Sequence, residues 1–136
     1  MRVTAVGGAG HLPGEETVVW ATLHFQDGRL AHIHGARHAA QKQRGFSIFG
    51  SRRALTFDEL TPGGTLRLHD PERAGVGETV PVDAADALAA QCRHFLTGVA
   101  RGDTSAGNGR HALAVVQVLE AGARSMDAGG APVAVE

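Results

Sequence analysis

The spacing of hydrophobic residues changes once along the chain, near residue 83. Before that point, short segments rich in β-branched and aromatic residues are separated by turns that contain glycine or proline, which predicts β-strands. These strands are expected within about 1–82: an opening strand before Gly8, then 16–25, 30–35, 46–49, 54–57 and 65–68, with a surface loop over 70–78.

Beyond residue 83 the apolar residues recur every three or four positions, which predicts helices at about 84–101 and 108–128. Asp83 is the expected N-cap of the first helix, with Asp86 in its first turn, and Gly102 and Gly129–Gly130 follow the two helices. An edge strand is expected at 132–135. The predicted apolar stripes consist of Leu88, Cys92, Phe95, Leu96 and Val99 in the first helix, and of Ala112, Val115, Val116, Leu119, Ala123 and Met126 in the second.

Strands grouped before helices are typical of the α+β class. We therefore expect a single domain over residues 1–136. It should contain an open, mostly antiparallel sheet, with the two C-terminal helices packed on one of its faces. A chain of this length can bury one hydrophobic core but not two.

The turn of the first predicted hairpin decides which side chains share a sheet face. Asp27–Gly28 suits a two-residue loop that pairs Gln26 with Arg29. In that register His24 lies on the face opposite to His32 and His34. A three-residue loop with a bulge would shift the register by one residue and bring the three imidazoles to one face. Both faces of the hairpin are largely apolar, so each needs a cover.

Composition excludes several classes of partner. The formal net charge of −1, from 13 basic and 14 acidic residues, gives no basis for binding nucleic acid or an anionic membrane. The single cysteine, Cys92, cannot form an internal disulfide, which is typical of the reducing cytoplasm. No secretory signal pattern is present, and no apolar run reaches the roughly 20 residues of a spanning helix. We expect a soluble cytoplasmic protein.

Two patterns resemble cofactor or reaction sites but lack the usual surroundings. Gly8 and Gly10 follow a strand, as in dinucleotide-binding turns, but Pro13–Gly14 and then strand residues follow where a helix should begin. A second half-site is also missing, so we expect this chain alone to bind no cofactor. Cys92 lies on an apolar stripe, and the serines lack a nucleophile-elbow setting, so no catalytic residue is assigned.

Two groups of side chains are candidate binding residues. Arg37, His38, Lys42 and Arg44 form a short basic cluster that could hold a phosphate or carboxylate of a substrate. The alternative is a solvated loop. His32 and His34 lie on one strand face at a spacing that can serve a metal, but no third ligand is evident, so we expect no metal and keep this pair as an alternative.

Several segments, taken in chain order, carry a family pattern. They are 16–17, 23–31 and 46–51, then Gln91, Phe95, Leu96 and Gly102, then Val116, Leu119, Glu120 and Ser125, and the closing 129–133. In this order they resemble the C-terminal domain of the Gfo/Idh/MocA oxidoreductases, the glucose–fructose oxidoreductase and inositol dehydrogenase family. Residues 42–44 and 58–60 are most similar to members that act on nucleotide sugars.

The resemblance implies a function without implying catalysis. Family enzymes carry a Rossmann domain, an E-K-P segment with a catalytic lysine, and a helix with spaced Asp and His residues, and none of these motifs occurs in this sequence. NAD(P) is therefore implied only for a missing Rossmann domain or a separate partner subunit. We expect a freestanding substrate-binding and oligomerisation domain that forms a homo-oligomer through a sheet face. The alternatives are a small-molecule or metal-binding module and a purely structural dimerisation domain.

Overall fold

The structure is a computed structural model that describes residues 1–9, 17–62, 64–72, 77–82, 86–102 and 109–136. Within these residues the strands are β1 (Arg2–Gly8), β2 (Val18–His24), β3 (Leu30–Ala36), β4 (Gly45–Phe49), β5 (Ala54–Asp58), β6 (Thr65–His69), β7 (Gly77–Val80) and β8 (Val133–Ala134). The helices are α1 (Ala87–Arg101) and α2 (Gly109–Asp127). The predicted α+β class, with open antiparallel sheet structure and two helices, is confirmed.

The strands divide between two compact units, where the sequence led us to expect one sheet. The first unit is Met1–Ala40 with Gly98–Glu136, and its sheet has the order β3-β2-β1-β8. The second is Gln41–Thr97, with the order β4-β5-β6-β7. All strand pairs are antiparallel. β3 and β4 are edge strands of different sheets, and the residues that connect them are exposed and mostly polar.

Helix α2 covers one face of the first sheet through small side chains. Ala121 and Ser125 are its buried residues, and Val3 and Ala5 of β1 are buried beneath it. The predicted stripe is wrong here, since Val116 and Leu119 are exposed. Small residues allow the helix backbone to approach the sheet closely, so the buried face is the one with the smallest side chains rather than the most hydrophobic ones.

Helix α1 has no buried residue, and its predicted apolar stripe is exposed along its length, with Phe95 at 68%. We expected both helices to cover a sheet face, whereas α2 is the helix with extensive contacts to a strand in the described part of the chain. Neither α1 nor α2 is long and apolar enough to cross a membrane.

The helix ends follow the capping signals of the sequence with one change. The Oδ1 atom of Asp86 accepts hydrogen bonds from the backbone N–H groups of Leu88 and Ala89, at 3.0 and 3.2 Å, so Asp86 is the N-cap of α1. The expected cap, Asp83, lies outside the described residues. At the end of α2, Gly129 has a φ of 67°, and the N–H of Gly130 donates to the carbonyl of Ser125 at 2.8 Å, which is a Schellman motif.

The predicted loop over 70–78 is partly wrong, because Gly77 and Glu78 belong to β7, which pairs with β6. This strand is only four residues long and begins with Gly77 and Glu78, which are depleted in strands, so Thr79 and Val80 give a weak strand signal. The ladder with β6 determines its conformation. The predicted edge strand at 132–135 is present as β8, which pairs with β1.

Candidate functional site

The loop of the first hairpin has three residues, so the predicted two-residue turn is wrong. The N–H of Phe25 donates to the carbonyl of Arg29 at 3.0 Å, and the N–H of Gly28 donates to the carbonyl of Phe25 at 3.2 Å. Gly28 has a φ of 84°, the left-handed conformation that a three-residue loop requires near its end. The register therefore moves by one residue, and His24 pairs with Leu30.

This register places His24, His32 and His34 on the same face of the sheet, together with Trp20. The opposite face carries Val3 and Ala5, which α2 covers. We call the uncovered side the open face. It consists of the even-numbered residues of the three neighbouring strands: Arg2, Thr4, Val6 and Gly8 of β1, Val18, Trp20, Thr22 and His24 of β2, and Leu30, His32, His34 and Ala36 of β3.

Each imidazole on the open face contacts a side chain of the neighbouring strand. The ring of His34 stacks on Trp20 with centroids 5.0 Å apart and an interplanar angle of 18°. Thr22 Oγ1 lies 3.0 Å from His32 Nδ1, and Thr4 Oγ1 lies 3.3 Å from His24 Nε2. The described residues contain no group of three or more His, Cys, Asp or Glu side chains that could hold a metal, so these three imidazoles share a face without forming such a group.

Apart from Arg2, the open face combines apolar and uncharged polar side chains, several of which are accessible to solvent. Trp20, Val6 and Leu30 are each more than half exposed. At the hairpin end, a shallow depression of about 330 Å³ is lined by Met1, Arg2, His24, Phe25 and Gln26. The face can therefore contact a flat partner, and it provides no enclosed reaction centre.

The loop beside the depression carries its own ion pair. Asp27 Oδ2 lies 2.7 Å from Arg29 Nε. The backbone N–H of Arg29, followed by its guanidinium, holds the pKa of the Asp27 carboxyl below its ordinary value of 3.8. The guanidinium of Arg29 also lies 5.4 Å from the centre of the Phe25 ring. The charges of the loop thus balance one another.

The candidate substrate-binding residues do not fall within one compact unit. Arg37 and His38 belong to the first unit, and Lys42 and Arg44 belong to the second. All four are exposed. The N–H of Arg37 donates to the carbonyl of Thr17 at 2.8 Å, and Arg44 Nη1 forms an ion pair with Glu59 Oε1 at 3.0 Å. Their role in substrate binding stays a prediction.

Gly8, the last residue of β1, does not lie in the setting of a dinucleotide site. β1 pairs with β2 in antiparallel orientation up to Gly8 and Val18, and the N–H of Thr17 donates to the carbonyl of Gly8 at 2.8 Å. A dinucleotide fold needs a parallel strand pair joined by a helix whose N-terminus meets the pyrophosphate. Gly10 lies outside the described residues. The strand pairing does not fit NAD(P) at this position.

The first unit is thus an antiparallel sheet with one face covered by α2 and the other accessible. Comparison with solved structures identifies the fold. The fold is that of Gfo/Idh/MocA-type sugar oxidoreductases, matched over nearly the whole of this chain and about 40% of theirs, as expected for their C-terminal domain. The resemblance recognised in the sequence is therefore confirmed as a likeness of fold.

Three of these solved structures define the likeness. Aldose-aldose oxidoreductase from Caulobacter crescentus has a TM-score of 0.79 at 19% identity, covering 97% of this chain and 40% of that one. Levoglucosan dehydrogenase has a TM-score of 0.79 at 16% identity, covering 99% and 45%. UDP-N-acetylglucosamine 3-dehydrogenase from Acidithiobacillus ferrooxidans has a TM-score of 0.71 at 26% identity, covering 91% and 40%. No protein-family model and no curated protein matches the sequence.

Proposed function

We propose that this chain is the substrate-binding and oligomerisation domain of a cytoplasmic NAD(P)-dependent oxidoreductase that acts on a sugar or nucleotide sugar. The cofactor is bound by a Rossmann domain or subunit distinct from residues 1–136, and the chain is not catalytic alone. The observation that carries the proposal is the match of 97–99% of this chain to 40–45% of the length of sugar oxidoreductases.

The nucleotide-sugar part of the proposal depends on two independent features. The solved structure with 26% identity over 91% of this chain is named as a UDP-N-acetylglucosamine 3-dehydrogenase. Separately, the predicted substrate-binding residues are exposed and basic, with Arg37 and His38 in the first unit and Lys42 and Arg44 in the second, and each pair has the chemistry that holds a phosphate group. A phosphate of a sugar diphosphate would engage either pair through charge-assisted hydrogen bonds.

The oligomerisation part depends on the open face. It carries the exposed apolar side chains of Trp20, Val6 and Leu30, which a partner surface would remove from water. A second copy is the simplest partner, because two-fold symmetry brings the same patch of both chains together. Arg2 is its single formally charged position when histidines are neutral, so two copies can meet with little like-charge repulsion.

The area of the open face limits the affinity expected of this dimer. Three strands of seven residues occupy roughly 14 Å by 23 Å. The flat area is about 300 Å², under half of the roughly 800 Å² that each partner buries in a standard interface. We therefore expect a weak, reversible dimer through this face.

Sedimentation equilibrium at neutral pH tests the proposal with two matched variants. Wild-type protein should shift with concentration from its 14.1 kDa mass towards twice that mass. Trp20→Glu should be monomeric, because it places a carboxylate in the centre of the face. Ile33→Glu should dimerise like wild type, because Ile33 is equally exposed, at 51% against 54%, but lies on the opposite face. A monomeric wild type, or dissociation by Ile33→Glu alone, would contradict the proposed interface.

A further inference from the structure

Three of the side chains on the open face are imidazoles, and the face contains no carboxylate. Arg2 contributes its cation from β1, His24 lies on β2, and His32 and His34 lie on β3. None of the twelve positions that define the open face is an aspartate or a glutamate. The face therefore has no anion that could compensate an added positive charge.

Among the described residues, the charged groups at the edges of the face do not supply this compensation. Glu136, which follows β8, lies 3.9 Å from the guanidinium of Arg124. Asp27, in the hairpin loop, is already paired with Arg29 at 2.7 Å. Beyond the other end of β3 stand Arg37 and His38, which are basic. On β8, Ala134 is the residue that pairs with Arg2. Protonation of the imidazoles would thus raise the positive charge of the face from one towards four.

We propose that the dimer formed through the open face is a pH-sensitive association that dissociates as His24, His32 and His34 become protonated. This inference rests on the proposed oligomerisation function. Histidine is the side chain that changes charge between about pH 8 and pH 5. In a two-fold dimer both copies contribute the same three imidazoles, so protonation places like charges on both sides of a contact that excludes water.

Proton linkage gives the expected change of the dimer dissociation constant with pH. Each imidazole that must lose its proton on association weakens the dimer by up to about tenfold per pH unit once it is protonated in the monomer. Six imidazoles lie in the interface of two copies, since each chain contributes three. We expect the dissociation constant to rise by about 100-fold between about pH 8 and about pH 5.5.

The test measures the dimer dissociation constant by sedimentation equilibrium across this pH range, with circular dichroism confirming that the monomer stays folded. The triple variant His24→Gln/His32→Gln/His34→Gln removes the titrating groups and should dimerise with little dependence on pH. His69→Gln is the matched control, because His69 also bonds a threonine, Thr56, at 2.8 Å but lies in the other sheet. The control should keep the wild-type response.

A second measurement covers the case in which the triple variant does not fold. Trp20 is the single tryptophan of the sequence and stacks on His34, so its emission reports both burial of the face and the charge of that ring. The single variant His34→Gln should reduce the change of the dissociation constant with pH by about tenfold or more over the range. A wild-type response in this variant and in His32→Gln would overturn the inference.

The remaining outcomes separate the inference from the proposed function. A wild-type dimer of equal strength at about pH 8 and about pH 5.5 would overturn the pH-sensitive association and leave the dimer in place. A wild-type protein that is monomeric at every pH would overturn the dimer and the inference together. Loss of the pH response in His69→Gln would place the sensitive groups outside the open face and would also overturn the inference.

Discussion

Ser125 shows how a single polar residue connects the helix to the sheet. It is fully buried, and its Oγ accepts a hydrogen bond from the N–H of Ala5 at 2.9 Å while its hydroxyl donates to the carbonyl of Ala131 at 2.7 Å. β8 pairs with β1 only at Arg2 and Val3, so Ala5 has no strand partner on that edge. The Ser125 hydroxyl therefore supplies the hydrogen-bond acceptor that a neighbouring strand would otherwise provide for Ala5.

Substitution of this serine should therefore destabilise the fold. Ser125→Ala leaves the buried N–H of Ala5 and the carbonyl of Ala131 without this partner, and we expect the free energy of unfolding to fall by about 1–3 kcal/mol. Urea unfolding followed by circular dichroism measures the change. The control is Ser51→Ala, at an exposed bend, which should unfold like wild type. Equal stability of the two variants would show that the Ser125 hydrogen bonds contribute nothing net.

At the scale of elements, the β2–β3 hairpin determines the chemistry of the open face. Its three-residue loop moves the register by one residue relative to a two-residue turn, and a shift of one residue exchanges the side chains of a strand between the two faces. Trp20 consequently shares a face with the three histidines rather than with Ile33. The conformation of Gly28 makes this loop possible.

Gly28→Val should therefore cost about 1–2 kcal/mol of stability, because a β-branched residue resists a φ of 84°. Gly28→Asn should cost less, since asparagine tolerates this conformation. Gly35→Val is the control within the same hairpin: Gly35 lacks the positive φ, and a Cβ added there would meet no atom within 4 Å. Urea unfolding monitored by Trp20 emission gives the three values. If Gly28→Val and Gly35→Val had the same free energy of unfolding, the left-handed conformation of residue 28 would not be required for the stability of the hairpin.

At the scale of the whole molecule, the chain spans about 40% of the length of the sugar oxidoreductases that it resembles. Its described residues form two compact units, each with its own four-stranded sheet. The first unit offers an accessible face, and its antiparallel β1–β2 pair does not fit a dinucleotide. These observations agree with the proposed division of labour, in which these residues would recognise partners and substrate while another domain would hold the cofactor.

Residues 1–136 on their own should accordingly bind neither NAD(H) nor NADP(H) at physiological concentration. The reason is that the strand pair that ends at Gly8 and Val18 is antiparallel, and a second half-site is missing from residues 1–136. Isothermal titration calorimetry measures binding directly, with levoglucosan dehydrogenase, whose structure includes a complex with NADH, as the positive control. Saturable binding of either cofactor at micromolar concentration would contradict this expectation.

The sequence alone determined the elements that depend on local preferences. The period of apolar residues predicted seven of the eight described strands and both helices, and the glycines after α2 predicted its end, because these signals act over a few residues. The order of the segments also indicated the fold family. β7 was not predicted, because its conformation depends on pairing with β6 in the sheet and not on the preferences of its own four residues.

Tertiary structure alone decided which surfaces are buried and which stay accessible. Asp27–Gly28 was compatible with two loop lengths, and the pairing of β2 with β3 selected the one that gathers the histidines. α2 buries Ala121 and Ser125 rather than its larger apolar residues, because close approach to β1 and the bonds of Ser125 outweigh hydrophobicity counted along the helix. Each of these choices depends on contacts between residues far apart in the chain, which a local pattern does not contain.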